Sequence, residues 1–242
     1  MTEEVAEEGA PADERSRRVR WPFVVAGVLA VVLAIGAYLW FERVPRYRPE
    51  LGAGERYGID VSNHQGSIDW ARVADDDIDV AYLKATEGGD WVDERFAENW
   101  RGAADAGLAR GAYHFFTLCR PGADQADNFL RTVPRDADAL APVVDLELGG
   151  NCAGRPAPED FHRELRTFVD RVEAATGQQV VLYVLDDVED LYHVRAVYDR
   201  PTWVRRLLQR PDEDDWLVWQ VSEDAAVAGI DGPVDLDVVR PR

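Results

Sequence analysis

The sequence predicts an α/β protein: a shortened, irregular (β/α) barrel of eight strands with fewer outer helices, preceded by one transmembrane helix. Three observations carry that prediction. Short apolar runs recur from Tyr57 to Val239, punctuated by turn residues. Helical patterns separate the early runs, which argues for βαβ units and a parallel sheet. Ahead of them lies an unbroken apolar stretch of bilayer length.

Residues 1–20 are polar and acidic before turning basic, and read as a disordered cytoplasmic tail. Residues 21–41, "WPFVVAGVLAVVLAIGAYLWF", contain no ionisable side chain except Tyr38. As a helix they cover about 30 Å, the thickness of the hydrocarbon layer, with Trp and Tyr at the ends as interfacial anchors. A cleaved signal would have a shorter apolar region followed by small residues. Here "AYLWFERV" follows, so an uncleaved anchor is expected. Arg15, Arg17, Arg18 and Arg20 precede the span, and Arg43, Arg46 and Arg48 follow it. That balance favours the N-terminus inside and the large domain outside the cell membrane. Residues 42–56 hold prolines, glycines and few apolar side chains, the composition of a linker.

From 57 to 242 the strand candidates are "YGIDVS", "VAYLKAT", "RGAYHFF", "APVVDLEL", "VVLYV", "TWVRRL", "WLVWQVS" and "VDLDVV". Amphipathic patterns at Asp93–Leu108, "GADQADNFLRTV" and "PEDFHRELRTFVDRVEAATG" supply helices between them. Trp70 and Trp100 read as packing between helix and barrel. Later spacers are too short for full helices, and this region is smaller than the roughly 250 residues of a complete barrel. Some outer helices should therefore be missing.

Composition narrows the function. Of the 242 residues, 46% are apolar, enough for a packed core, and the formal charge is -19 with a pI near 4.5. A nucleic-acid partner is excluded, since phosphate binding needs a basic patch. The two cysteines, Cys119 and Cys152, on an exported domain suggest a disulfide, contributing roughly 3–4 kcal/mol by the chain-entropy estimate.

"APVVDLELGG" carries the chemistry. Asp145 and Glu147 interrupt an apolar run two residues apart, so in a strand both carboxyls project to one side. In β/α barrels, reactive groups sit where strands end. Asp60 lies near the end of the first strand candidate and His114 near the end of the third. Paired carboxyls suit glycoside hydrolysis, with one protonated and the other ionised. A divalent metal on Asp60, Asp145 and Glu147, with His64 or His114, is the alternative, though no HxH or HExxH spacing supports it. The expectation is no metal and no cofactor. Lys84, the chain's one lysine, should pair with Glu87 or another acid and border the site. His64, in the loop "NHQG", is a rim candidate, while Trp219 with Gln220 is the sugar-facing candidate on the seventh strand.

"YGIDVSNHQGSIDW", "AYLKATEGGDWVD", "GLARGAYHFF", "PVVDLE" and "DGPVDLDVV" occur in that order. Together they resemble glycoside hydrolase family 25, the lysozymes (N-acetylmuramidases) of the Chalaropsis and Cellosyl type, from about Tyr57 to Val239. The resemblance implies cleavage of the β-1,4 bond between N-acetylmuramic acid and N-acetylglucosamine in peptidoglycan. It implies that Glu147 is the general acid, that Asp145 is its partner, and that Asp60 and Asp235 complete the acids of the site. Tyr113 and Tyr183 are similar to tyrosines lining the family's groove. Asp237 departs from the pattern, standing where Asn is common. The expected protein is a monomer whose partners are peptidoglycan glycan strands and the membrane. The alternative is a non-catalytic peptidoglycan-binding module on the same fold.

Overall fold

A computed structural model describes residues 14–212 and 215–241. The chain divides into two units, one up to Val44 and one from Pro45 onward. The first contains helix α1 (Glu14–Arg43). Its stretch Trp21–Trp40 has a mean hydropathy of 2.4, is long enough to cross a membrane, and has none of its apolar surface buried within the protein. The expected tail overlaps this helix, because residues 14–20 are already helical, and residues 1–13 lie outside the described residues.

The second unit is a closed barrel. All eight apolar runs form strands: β1 (Arg56–Val61), β2 (Ile78–Glu87), β4 (Ala109–Phe115), β5 (Val143–Leu146), β6 (Val181–Val184), β7 (Thr202–Arg205), β8 (Trp216–Ala225) and β9 (Val234–Val239). A two-residue strand, β3 (Trp91–Val92), adds to the edge of β2. The sheet runs β1-β9-β8-β7-β6-β5-β4-β2, and β1 pairs with β2 to close it. Apart from the antiparallel β2–β3 edge pair, pairings from β1 through β8 are parallel, but β9 is antiparallel to both β8 and β1. The reason lies in the short connection between Ala225 and Val234. A parallel return needs a crossover of a dozen residues or more, so β9 comes back in the opposite sense. Its first residues consequently lie at the rim where the other strands end.

Alternation along the strands builds two cores. Val80, Tyr82, Val143, Val181, Trp203 and Val218 fill the barrel interior. Ile59, Leu83, Phe116, Leu146, Leu182 and Trp219 face outward into a second core. Full burial of each such side chain contributes roughly 1.5–3 kcal/mol. Helices α2 (Trp70–Ala74), α3 (Phe96–Asp105), α4 (Gly122–Thr132) and α5 (Pro158–Thr176) cover that outer layer, with Trp70 and Trp100 buried in it as expected. At the α4–α5 contact, a Cβ on Gly122 would lie 1.9 Å from the Glu164 carbonyl oxygen, so only glycine fits. After β6 the cover thins to α6 (Asp186–Tyr192) and α7 (Val194–Val197), and no helix follows β7 among the described residues.

The expected linker is different in the structure. From Pro45 on it lies against the barrel: Ala226 N–H donates to the Pro45 carbonyl at 2.7 Å, and the Tyr57 hydroxyl donates to the Pro49 carbonyl at 2.6 Å. Arg48 pairs with Asp76, and Arg210 grips Glu55 with two bonds of 2.8 and 3.0 Å. Few apolar residues suggested slack, whereas the segment is held by polar contacts. Cys119, after β4, and Cys152, after β5, are joined by a disulfide with 6.4 Å between Cα atoms.

Candidate active site

The four acids arrive at one end of the barrel by three local routes. Asp60, the penultimate residue of β1, stands directly opposite Asp235 in the antiparallel β1–β9 register. Directly opposed residues on one face hold their Cβ atoms about 4.5–5.5 Å apart. Asp145 lies in β5 between Phe115 of β4 and Tyr183 of β6. Glu147 follows as the chain leaves β5. Two cavities of about 290 and 360 Å³ open here, and both are bordered by Asp60, Tyr113, Asp145, Glu147 and Asp235. They form the two lobes of one groove, with the acids at the waist.

Burial governs the charge at that waist. It drives the Asp60 carboxyl well above the usual range, reinforced by the charges of Asp235, Asp237 and Asp145. Asp235 is raised to about 6, mainly by burial, against stabilising hydrogen bonds from Gln220 and Asp60. The hydrogen bond between the two favours the neutral form of Asp60 and the ionised form of Asp235. Burial and then the Glu147 charge raise Asp145, while Lys84 opposes the shift. Glu147 is also raised, again by burial first and against Lys84. One Asp145 oxygen, Oδ1, is buried without a hydrogen-bond partner. Such a pair suits a site where one carboxyl gives a proton and its neighbour meets positive charge.

The supporting residues explain this arrangement. The Tyr183 hydroxyl donates to Gln220 Oε1 at 2.9 Å, leaving the Gln220 amide group to hold Asp235. Lys84 pairs with Glu87 at 2.9 Å, as expected, beneath the faces of Trp91 and Phe115 at 5.1 and 4.8 Å. That clamp keeps a cation beside Asp145 and Glu147. His64 borders the second lobe, with its Nδ1 2.9 Å from Ser62 Oγ.

Two expected groove residues face the other way. Trp219 is fully buried in the outer core, and its indole N–H donates to the Arg206 carbonyl at 2.7 Å. Its neighbour Gln220 points inward, and adjacent strand residues cannot share a face. His114 is likewise outward because Tyr113 is inward. It is fully buried, stacks on Phe168 at 4.8 Å, and lies between Thr86 and Gln125. Burial pushes its pKa down to about 3, so it is neutral, with Nε2–H donating to Gln125. It buttresses the β4–α4 connection and cannot serve as a metal ligand in the groove.

Three residues were missed. Arg205 and Glu223 form an ion pair bordering the first lobe; their signal was their place at the ends of β7 and β8. Asn151 clamps the loop carrying Glu147. Its side chain donates to the carbonyls of Phe116 and Glu147 at 2.9 and 3.0 Å, and accepts from the Leu118 and Cys152 N–H groups. "GGN" after a strand was the only hint.

Comparison with known proteins converges. The sequence pattern of the family described as Glycosyl hydrolases family 25 matches residues 59–230. The protein YegX of Escherichia coli (strain K12) is 37% identical over 193 residues, covering 75% of this chain and 68% of YegX. Lysozyme M1 of Streptomyces globisporus is 34% identical over 197 residues, covering 74% of this chain and 65% of that protein. Among solved structures, a family 25 glycosyl hydrolase from Bacillus anthracis superposes with a TM-score of 0.73 at 32% identity. That match covers 81% of this chain and 94% of the other.

Proposed function

The chain belongs to glycosyl hydrolase family 25 and is a glycoside hydrolase, and on that premise we propose that it is a membrane-anchored muramidase. It cuts the β-1,4 bond between N-acetylmuramic acid and N-acetylglucosamine in peptidoglycan. The observation that carries this reading is the Asp145–Glu147 pair at the waist of a two-lobed groove. A glycan strand lies across both lobes. Glu147, whose burial favours the protonated form, gives its proton to the departing glycosidic oxygen. Asp145 meets the positive charge developing at the anomeric carbon. Asp60 and Asp235 share a proton beside it, and Tyr113 and Tyr183 wall the groove. In this reading Gln220 acts through Asp235, while His64 and Lys84 border the second lobe.

Helix α1 is read as an uncleaved anchor, with the barrel outside the cell, where the Cys119–Cys152 bond is stable. Mass spectrometry of the protein from washed membranes tests this. Peptides from residues N-terminal to Trp21 support the anchor, and a mature chain beginning after Phe41 overturns it.

The activity is tested by incubating purified peptidoglycan with the full chain in detergent micelles, with EDTA present. New reducing ends should be N-acetylmuramic acid. Reducing N-acetylglucosamine, or tight binding with no new ends, would overturn the proposal. A second expectation concerns Asn151→Ala, which removes the side-chain hydrogen bonds that tie Glu147 and Cys152 of this loop to Phe116 and Leu118 after β4. We expect kcat to fall about tenfold through misplacement of the acid, with KM for the polymer nearly unchanged. Steady-state kinetics on soluble glycan fragments would check this.

A further inference from the structure

A third cavity, about 1020 Å³, lies on the barrel flank and meets the first lobe at Leu185 and Arg205, which border both. It exists because the chain between β6 and β7 lays down only α6 and α7 where a complete barrel carries a full helix. Val184 and Thr202 mark its inner wall, and Ala196 and Val197 of α7 its outer one. The cavity is polar, bordered by Arg195, Arg200, Arg205 and Arg206 and also by Asp186, Asp187, Asp199 and Asp215, of which Asp186 faces Arg195 at 3.8 Å. Arg195 and Arg200 are engaged structurally, by the Val184 carbonyl and by Glu173. Arg205 stands at the junction of the two cavities, with its guanidinium on Glu223. Its side chain is 35% exposed.

The substrate poses a steric question. Each muramyl unit carries an acyl peptide whose free carboxylates make it anionic. A glycan seated over Asp145 and Glu147 must send that peptide somewhere, and the flank cavity is the adjoining space large enough to take it. We propose that the flank cavity seats the peptide stem of the bound muramyl unit, with Arg205 at its mouth binding a stem carboxylate in exchange for Glu223. This rests on the muramidase reading and adds to it a determinant of substrate choice. Arg205 offers the planar fork that carboxylates accept in two parallel hydrogen bonds.

The test compares kcat/KM of the full chain on glycan bearing uncross-linked stems and on the same glycan stripped of stems by an amidase. The wild type should favour the stem-bearing substrate by about tenfold. Arg205→Gln should bring the ratio close to one. Ala196→Trp, a surface change that fills the cavity away from the acids, should do the same. A ratio that stays at the wild-type value in both variants overturns the proposal, as does a wild type without preference. Absence of any turnover by the wild type on both substrates would instead overturn the muramidase reading itself.

Discussion

Glu147→Gln is expected to lower kcat on peptidoglycan by about 10³-fold or more while leaving KM and folding nearly unchanged. Positioned general acids contribute 10²–10⁴-fold. The glutamine amide has the shape of the protonated carboxyl but cannot release a proton to the leaving oxygen. Folding survives because a neutral amide replaces a group that burial already disfavours as an anion. Wild-type turnover should accordingly fall as pH rises and Glu147 loses its proton, since its pKa lies above that of a free glutamate. The mutant's residual rate should lack that descending limb. Release of reducing ends measured between pH 4 and 9 checks both statements. A mutant keeping more than a tenth of wild-type kcat would remove Glu147 from the acid role.

The second large effect concerns stability. Asp60, Asp145, Glu147, Asp235 and Asp237 all have raised pKa values in the folded protein. Above their unfolded values, the native state binds more protons than the unfolded chain, so stability falls as pH rises. Buried, neutral His114 works the other way below pH 6.5, where the unfolded chain gains a proton that the folded one refuses. Five raised acids outweigh one depressed histidine. Each net proton changes stability by about 1.4 kcal/mol per pH unit. Unfolding free energy should therefore be greater at pH 5.5 than at pH 7.5. Asp237 isolates one member. It is fully buried one inward-facing position below Asp235, where burial and the Asp235 charge outweigh the support of the Trp203 indole N–H. Asp237→Asn should stabilise the protein at pH 7.5 and flatten the pH dependence. Urea unfolding at the two pH values would show it; equal wild-type stabilities would refute the argument.

How much of this was legible in the sequence differs by residue. The eight strands were, because each apolar run is short and punctuated by turn residues. The Asp145–Glu147 pair was visible because a period of two is simple to read along one strand. Asp235 was not: it reaches the rim only because β9 runs backwards, a fact of topology, and the motif resemblance identified it instead. Trp219 and Gln220 were grouped as groove residues although the same period of two forbids it, and His114 fell to its own neighbour Tyr113. Arg205 was signalled only by its place at the end of β7, while the clamp made by Asn151 depends on which loops meet in space.

The docked segment after α1 has a mechanical meaning. Only Val44 separates the last helical residue, Arg43, from Pro45, which is already bonded to Ala226. One residue spans at most about 3.6 Å, so with α1 in the bilayer there is no leash to pay out. A flexible tether of ten residues would let the barrel roam about 17 Å. Without one, cutting in the proposed anchored form would follow the drift of the helix in the plane of the lipid rather than the reach of a tether.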